Sequence, residues 1–188
     1  MKSANIYAFF LLLNFIALPI SFANATDPIQ ESVKPKRELE SLNIWLPGVL
    51  PKAESLLQEN ISPPLPGYKK GFVMAAPWTV PDVQNYKYHW VRDAALVMTT
   101  VVTRYREATN PVLKKAAFES LIDYANFSKE NQLAPEPGSD EKVGLGEVKF
   151  NPDGSRYTKW MRPQNDGPAL RAITFIRFAR QLITEKKF

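Results

Sequence analysis

With 188 residues, 45% hydrophobic and 12% aromatic, the chain carries enough apolar side chain for one packed domain and too little length for two large ones. Its formal net charge of +5 comes from basic residues scattered along the sequence, without the concentrated stripe that a nucleic-acid partner would need. The absence of cysteine excludes thiol catalysis, disulfides and cysteine–zinc sites; the single histidine, His89, excludes a multi-histidine metal cluster and any triad that lacks it.

Residues 1–25 read as a secretory signal peptide. Lys2 supplies the positive start, Ile6 to Phe22 the apolar stretch, and Ala23-Asn24-Ala25 a small-x-small cleavage site, with Ser21-Phe22-Ala23 as the alternative. The rival reading, an uncleaved anchor, must tolerate Asn14 and Pro19 within the span and has no basic stop-transfer block behind it. Cleavage therefore leaves a secreted or periplasmic chain with no membrane contact. Residues 26–36 turn polar and read as a flexible lead-in to a domain over 37–188.

A helix is predicted from Arg37 to Asn60, with Leu39, Leu42, Leu46 and Val49 on one side, kinked or split at Pro47 and Pro51. Ser62-Pro-Pro-Leu-Pro-Gly67 ends it. The apolar patch Phe72 to Ala76 is too short to assign to strand or loop. A dense cluster follows, Tyr86 to Asp93, and runs into small and apolar residues that suit a buried helix from Ala94 to about Arg106. Asn110 as cap and Pro111 at the first position start a third helix, with Leu113, Ala117, Leu121 and Tyr124 on one face through about Lys129. Gln132 to Thr158 has no period and reads as a long loop of the kind that is functional or disordered. A second cluster, Trp160 to Arg171, leads into a fourth helix from Pro168 to about Glu185, capped by Asp166 or Gly167 and carrying Leu170, Ile173, Ile176 and Phe178 at helical spacing. The class is all-α, with both clusters just before helix N-termini.

The second cluster holds more than a cap needs. Trp160, Arg162, Gln164 and Asn165 would suit a sugar-binding surface, an indole covering the C–H face of a pyranose while polar groups read its hydroxyls, or else a well-tied connecting loop. Arg92 and Asp93 are either a cleft pair that binds vicinal hydroxyls, walled by Tyr86, Tyr88 and Trp90, or an ion pair at a helix start. His89 in so aromatic a stretch reads as a packed, hydrogen-bonded residue before it reads as an acid or base. Sugar hydrolysis needs paired carboxylates. The candidates near the clusters are Asp93, Glu147, Asp153 and Asp166, of which Asp153 lies in a turn signature, Asn151-Pro-Asp-Gly154; no two form a convincing pair.

Three segments together, YKYHWVRDAAL at 86–96, LGEVKFNPDG at 145–154 and WMRPQNDGPALR at 160–171, resemble the glucoamylases of glycoside hydrolase family 15 in content, order and spacing. The resemblance implies the N-terminal part of an (α/α)6 barrel, about four of its twelve helices, in an enzyme that removes glucose with inversion from the non-reducing ends of α-1,4-linked glucans. It implies an α-glucan or maltooligosaccharide as partner, no cofactor, no metal, and a monomer if the chain folds. Carried over residue by residue, Arg92 and Asp93 resemble the pair that holds the terminal glucose, Tyr86 and Trp90 its walls, and Trp160 the tryptophan near the cleavage point, with Arg162 a further contributor. Met161 departs from the family's usual glycine. The family's catalytic acid and base fall beyond the segments matched, so the resemblance implies a truncated domain with part of the sugar subsite and no hydrolysis; the alternative is a non-catalytic sugar-binding or inert remnant. An inner helix such as Ala94–Val102 would then lack the neighbours that should cover it.

Overall fold

The computed structural model describes residues 34–77, 86–135, 144–160 and 163–187. The predicted leader and most of the lead-in lie outside them. The described residues form two compact units that divide between Leu56 and Leu57. The first is built on helix α1, Lys34–Glu59, whose last turn belongs to the second unit. α1 starts within the predicted lead-in and runs unbroken through Pro47 and Pro51, where the sequence predicts a kink or a split. Both prolines are exposed, so water can take the carbonyls whose donors are lost. No helix of the described residues is long and apolar enough to cross a membrane.

The second unit rests on three helices: α2, Val91–Glu107; α3, Pro111–Gln132; and α4, Asp166–Thr184. α3 begins as its sequence dictates: the Asn110 Oδ1 accepts from the amides of Val112 at 2.9 Å and Leu113 at 3.4 Å, with proline where no donor is needed. α2 packs most extensively on α4, then on α3, around Met98, Val101, Tyr105, Leu121, Tyr124 and Phe178. Small residues allow the α2–α4 approach. Buried Thr174 donates to or shares hydrogen bonds with Ala95 O at 3.0 Å and Thr99 Oγ1 at 2.8 Å, satisfying its hydroxyl across the seam. At the other end of α4, Glu185 accepts from the Tyr105 hydroxyl at 2.6 Å and pairs with Lys114 at 2.7 Å and Lys187 at 2.8 Å, tying the three helices together.

Two expectations about faces change. α4 buries Gly167, Arg171, Thr174 and Phe178, a stripe at four- and three-residue steps, while Ile173 and Ile176 face out at 43% and 52% exposure. The exposed apolar stripe therefore lies on α4. α2, expected to be the uncovered helix, buries seven of its residues, and Leu96 is its one large exposed apolar side chain among the described residues. On α3 the expected face holds for Ala117, Leu121 and Tyr124, but Leu113 is exposed in the first turn.

The remaining segments are ordered by short-range pairing. Phe72 to Ala76 is extended, bridged to Ile61 at Val73 and bonded from Ala75 and Ala76 to the carbonyls of Tyr88 and Tyr86. The turn before it needs Gly71: its φ is +79°, and a Cβ there would meet Asp123 O of α3 at 2.1 Å. Part of the expected loop is a strand. β2, Lys149–Phe150, pairs antiparallel with β1, His89–Trp90, placing Phe150 opposite His89 and Lys149 opposite Trp90.

Candidate functional site

β1 and β2 carry the first cluster to the second. β1 leads directly into α2, whose first amide, on Val91, donates to Val148 O at 3.0 Å, so the β2 segment satisfies a helix start that no side chain caps. From β2 the chain turns at Asn151–Ser155 and returns through a bridge between Phe150 and Arg156. Trp160 follows four residues later. The indoles of Trp90 and Trp160 thereby meet edge to face, centroids 5.3 Å apart, and Tyr86 lies 6.4 Å from Trp90. Trp90 is buried, and its indole N–H has no partner among the described residues.

The charged residues converge as well. Arg92 donates to the carboxylate of Asp166 at 3.3 Å and lies 3.8 Å from that of Asp93, so one guanidinium joins the first turns of α2 and α4. All three side chains are between 35% and 46% exposed, open enough to exchange partners. Burial raises the pKa of Asp93, Arg92 opposes that, and the Asp166 charge adds to it. The helix starts can approach because position 167 lacks a side chain: a Cβ on Gly167 would lie 3.1 Å from Val91 Cβ and Cγ1. The helix cap itself shifts. Asn165 is the cap position and makes no side-chain cap bond, while Asp166 is the first helical residue and accepts from the Gly167 amide at 2.9 Å.

Tyr86, Trp90, Arg92, Asp93 and Trp160 are thus brought to one place. Arg162 lies outside the described residues. Of the other carboxylates, Glu147 is buried against Arg156, whose Nε donates at 2.7 Å and whose Nη2 lies closer still, and Asp153 accepts from the Ser155 amide and hydroxyl within its turn, which lowers its pKa. His89 is fully buried. Its Nδ1 accepts from the Val73 amide at 3.0 Å and its ring packs on Phe127 at 4.7 Å, so it is neutral, with burial and the nearby Arg171 pushing its pKa down to about 3. That is the packed role the sequence favours.

The sequence reading passes over Lys149. Its ammonium is surrounded by rings: Tyr157 at 4.1 Å, Trp160 at 4.4 Å, and Tyr88 and Trp90 each at 4.5 Å. Burial lowers its pKa. The rings of Tyr88 and Tyr157 lie 4.8 Å apart and tilted by 57°, and burial raises the Tyr88 pKa. A signal for Lys149 existed only in hindsight of register, since nothing local pairs it with Trp90. The hollow lined by Thr103, Arg106, Arg177 and Arg180 lies toward the opposite ends of α2 and α4 and shares none of these residues.

Comparison with known proteins gives the family and the fold. Residues 51–187 match the model of glycosyl hydrolases family 15. The chain is 45% identical to glucoamylase 1 of Rhizopus oryzae over 68% of this chain and 20% of that protein, and 40% identical to a probable glucoamylase of Schizosaccharomyces pombe over 62% and 25%. Among solved structures it is similar to the glucoamylase of Hormoconis resinae, with a TM-score of 0.65 and 32% identity over 77% of this chain and 25% of that one. The glucoamylase of Saccharomycopsis fibuligera gives 0.59 and 35%, over 70% and 27%. The chain spans about a fifth to a quarter of the length of these relatives. Its helices are the N-terminal part of an all-α, (α/α)6 barrel.

Proposed function

The chain belongs to glycosyl hydrolases family 15, and from that membership we propose that its aromatic cluster is part of a subsite for the terminal glucose of a starch-like α-glucan. The reaction served is inverting release of glucose from non-reducing ends. Arg92 offers a planar fork of donors and Asp93 a carboxylate, at the start of α2, which together suit neighbouring sugar hydroxyls. Tyr86, Trp90 and Trp160 supply apolar faces, and Arg162 adds a further donor. The observation that carries the reading is the meeting of Trp90 with Trp160 and of Arg92 with Asp166, across seventy or more positions of sequence, at one pair of helix starts.

The same site argues for binding without turnover by these 188 residues alone. Inverting hydrolysis needs one carboxylic acid to protonate the leaving oxygen and one carboxylate to activate water on the opposite face. Glu147 is committed to Arg156 and Asp153 to its turn, while Asp93 and Asp166 flank the single guanidinium of Arg92 on the side that would hold the sugar hydroxyls. The chain is exported, by the leader that residues 1–25 resemble, and acts outside the cytoplasm, with no nucleic-acid or membrane partner.

Titration of the purified chain with maltose, alongside a glucose-release assay, tests both parts. Saturable binding that is lost in Trp160→Ala and in Arg92→Ala, with no glucose released above background, is the expected result. A folded chain that binds no maltose refutes the subsite and leaves an inert remnant; glucose release by uncontaminated material refutes the absence of turnover.

A further inference from the structure

We propose that Lys149 is a positioning residue whose ammonium clamps the indoles of Trp90 and Trp160 in the edge-to-face arrangement that presents them to a sugar. The inference rests on the subsite reading above and gives it a further residue.

A lysine on a two-residue strand has an easy alternative, since its four-carbon stem can carry the charge out to water. Lys149 does not take it: the residue is 4% exposed and its Nζ lies 4.1 to 4.5 Å from four ring centroids. All four distances fall inside the range of about 6 Å at which a cation is attracted to an aromatic face. Burying an ammonium is unfavourable unless something replaces its water. Here the replacement is four π faces, the same arrangement by which aromatic cages hold ammonium groups.

The four rings come from two segments, one on each side of the Asn151–Ser155 turn, that meet through the Tyr88–Tyr157 and Trp90–Trp160 ring contacts, and Lys149 lies against all four. Tyr88 and Trp90 belong to the β1 stretch; Tyr157 and Trp160 lie beyond the turn, where the nearest regular pairing is the single bridge at Arg156. Register fixes the clamp on one side, because Lys149 is the residue opposite Trp90. Backbone fixes it near the other, because the Tyr157 amide donates to Lys149 O at 3.4 Å. The side chain then reaches Trp160 itself. A neutral residue of the same length could fill the space, but it would not favour the faces of four rings over their edges. Stacking on a pyranose depends on that orientation.

The test uses the full 188-residue chain with Lys149→Met, which keeps the reach and loses the charge, and Lys149→Arg, which keeps the charge and can still lie over aromatic faces. The exciton couplet of the Trp90–Trp160 pair in far-ultraviolet circular dichroism reports ring geometry without sugar; maltose titration reports binding; urea unfolding reports fold. The clamp predicts that Lys149→Met unfolds cooperatively, loses the couplet and binds maltose about tenfold more weakly, and that Lys149→Arg restores couplet and affinity to within about twofold. If Lys149→Met does not fold, Tyr157→Leu removes the nearest ring and leaves the lysine and both indoles, and should move couplet and affinity in the same direction by less. A Met variant with couplet and affinity unchanged overturns the proposal, as does an Arg variant no better than Met, or a Tyr157→Leu chain indistinguishable from wild type where that variant must serve. A couplet lost in Lys149→Met while the wild type binds no maltose upholds the clamp and refutes the subsite.

Discussion

Acidification from pH 7 to pH 5 should destabilise this protein chiefly through one residue. His89 is the chain's single histidine, fully buried, with its Nδ1 fixed as acceptor for the Val73 amide and its ring among Phe72, Tyr124, Phe127 and Phe150. Charging it in place would put a cation beside buried Arg171 and break the bond from Val73. Its native pKa of about 3 lies below the unfolded value of about 6.5, so the unfolded chain binds the proton first. The stability it contributes is therefore present above about pH 6.5 and is lost as pH falls toward about 3. Between pH 7 and pH 5 the loss works out at about 2 kcal/mol. Asp93, whose pKa is raised, acts in the opposite direction, and the lowered carboxylates Asp153 and Glu185 lose their contributions only below this window. Urea unfolding at the two pH values, followed by far-ultraviolet circular dichroism, measures the difference. His89→Gln keeps an acceptor for Val73 and cannot titrate, so its stability should be lower at pH 7 but nearly flat to pH 5. Equal wild-type stability at both values, or a Gln variant that falls as steeply, would refute the reasoning.

The buried pair of Glu147 and Arg156 should be costly to break on one side: Arg156→Met takes the guanidinium away from a buried carboxylate and should lose about 3–5 kcal/mol in denaturant titration, while adding Glu147→Leu should recover most of it. Gly71→Ala forces a side chain at φ +79° into the carbonyl of Asp123 and should lower stability by about 3 kcal/mol, visible as a drop in Tm. Asn110→Ala removes the acceptor for two α3 amides and should cost about 1 kcal/mol by the same assay. Ile176→Gln, on the outward face of α4, should leave the unfolding free energy within about 0.5 kcal/mol in the same denaturant titration.

Features that depend on a few neighbouring residues were legible in the sequence. Asn110-Pro111 starts a helix because the cap needs one short acceptor and one missing donor, and the structure has both. Asn151 to Gly154 turns because aspartate and glycine suit that backbone. Features that depend on distant partners were not. Two-residue strands have no period to detect, so the pairing of His89–Trp90 with Lys149–Phe150 was hidden inside an apparent loop. The buried face of α4 also depends on a distant partner. Counting apolar residues favours Ile173 and Ile176, but the small groups of Gly167 and Thr174 let the helix approach α2, and closeness decided which side was buried.

The site shows the same division with a different consequence. Each cluster advertised itself by composition, since arginine, tryptophan and aspartate in a few positions exceed what a cap requires. That they meet follows from elements no composition marks: a two-stranded ladder, the Phe150–Arg156 bridge and the absence of a side chain at Gly167. Lys149 belongs to the second kind. As a letter it is an ordinary basic residue, expected in water. Opposite Trp90 in register, it becomes a charge that four rings enclose, and it is the residue through which strand pairing could govern how two tryptophans face a ligand.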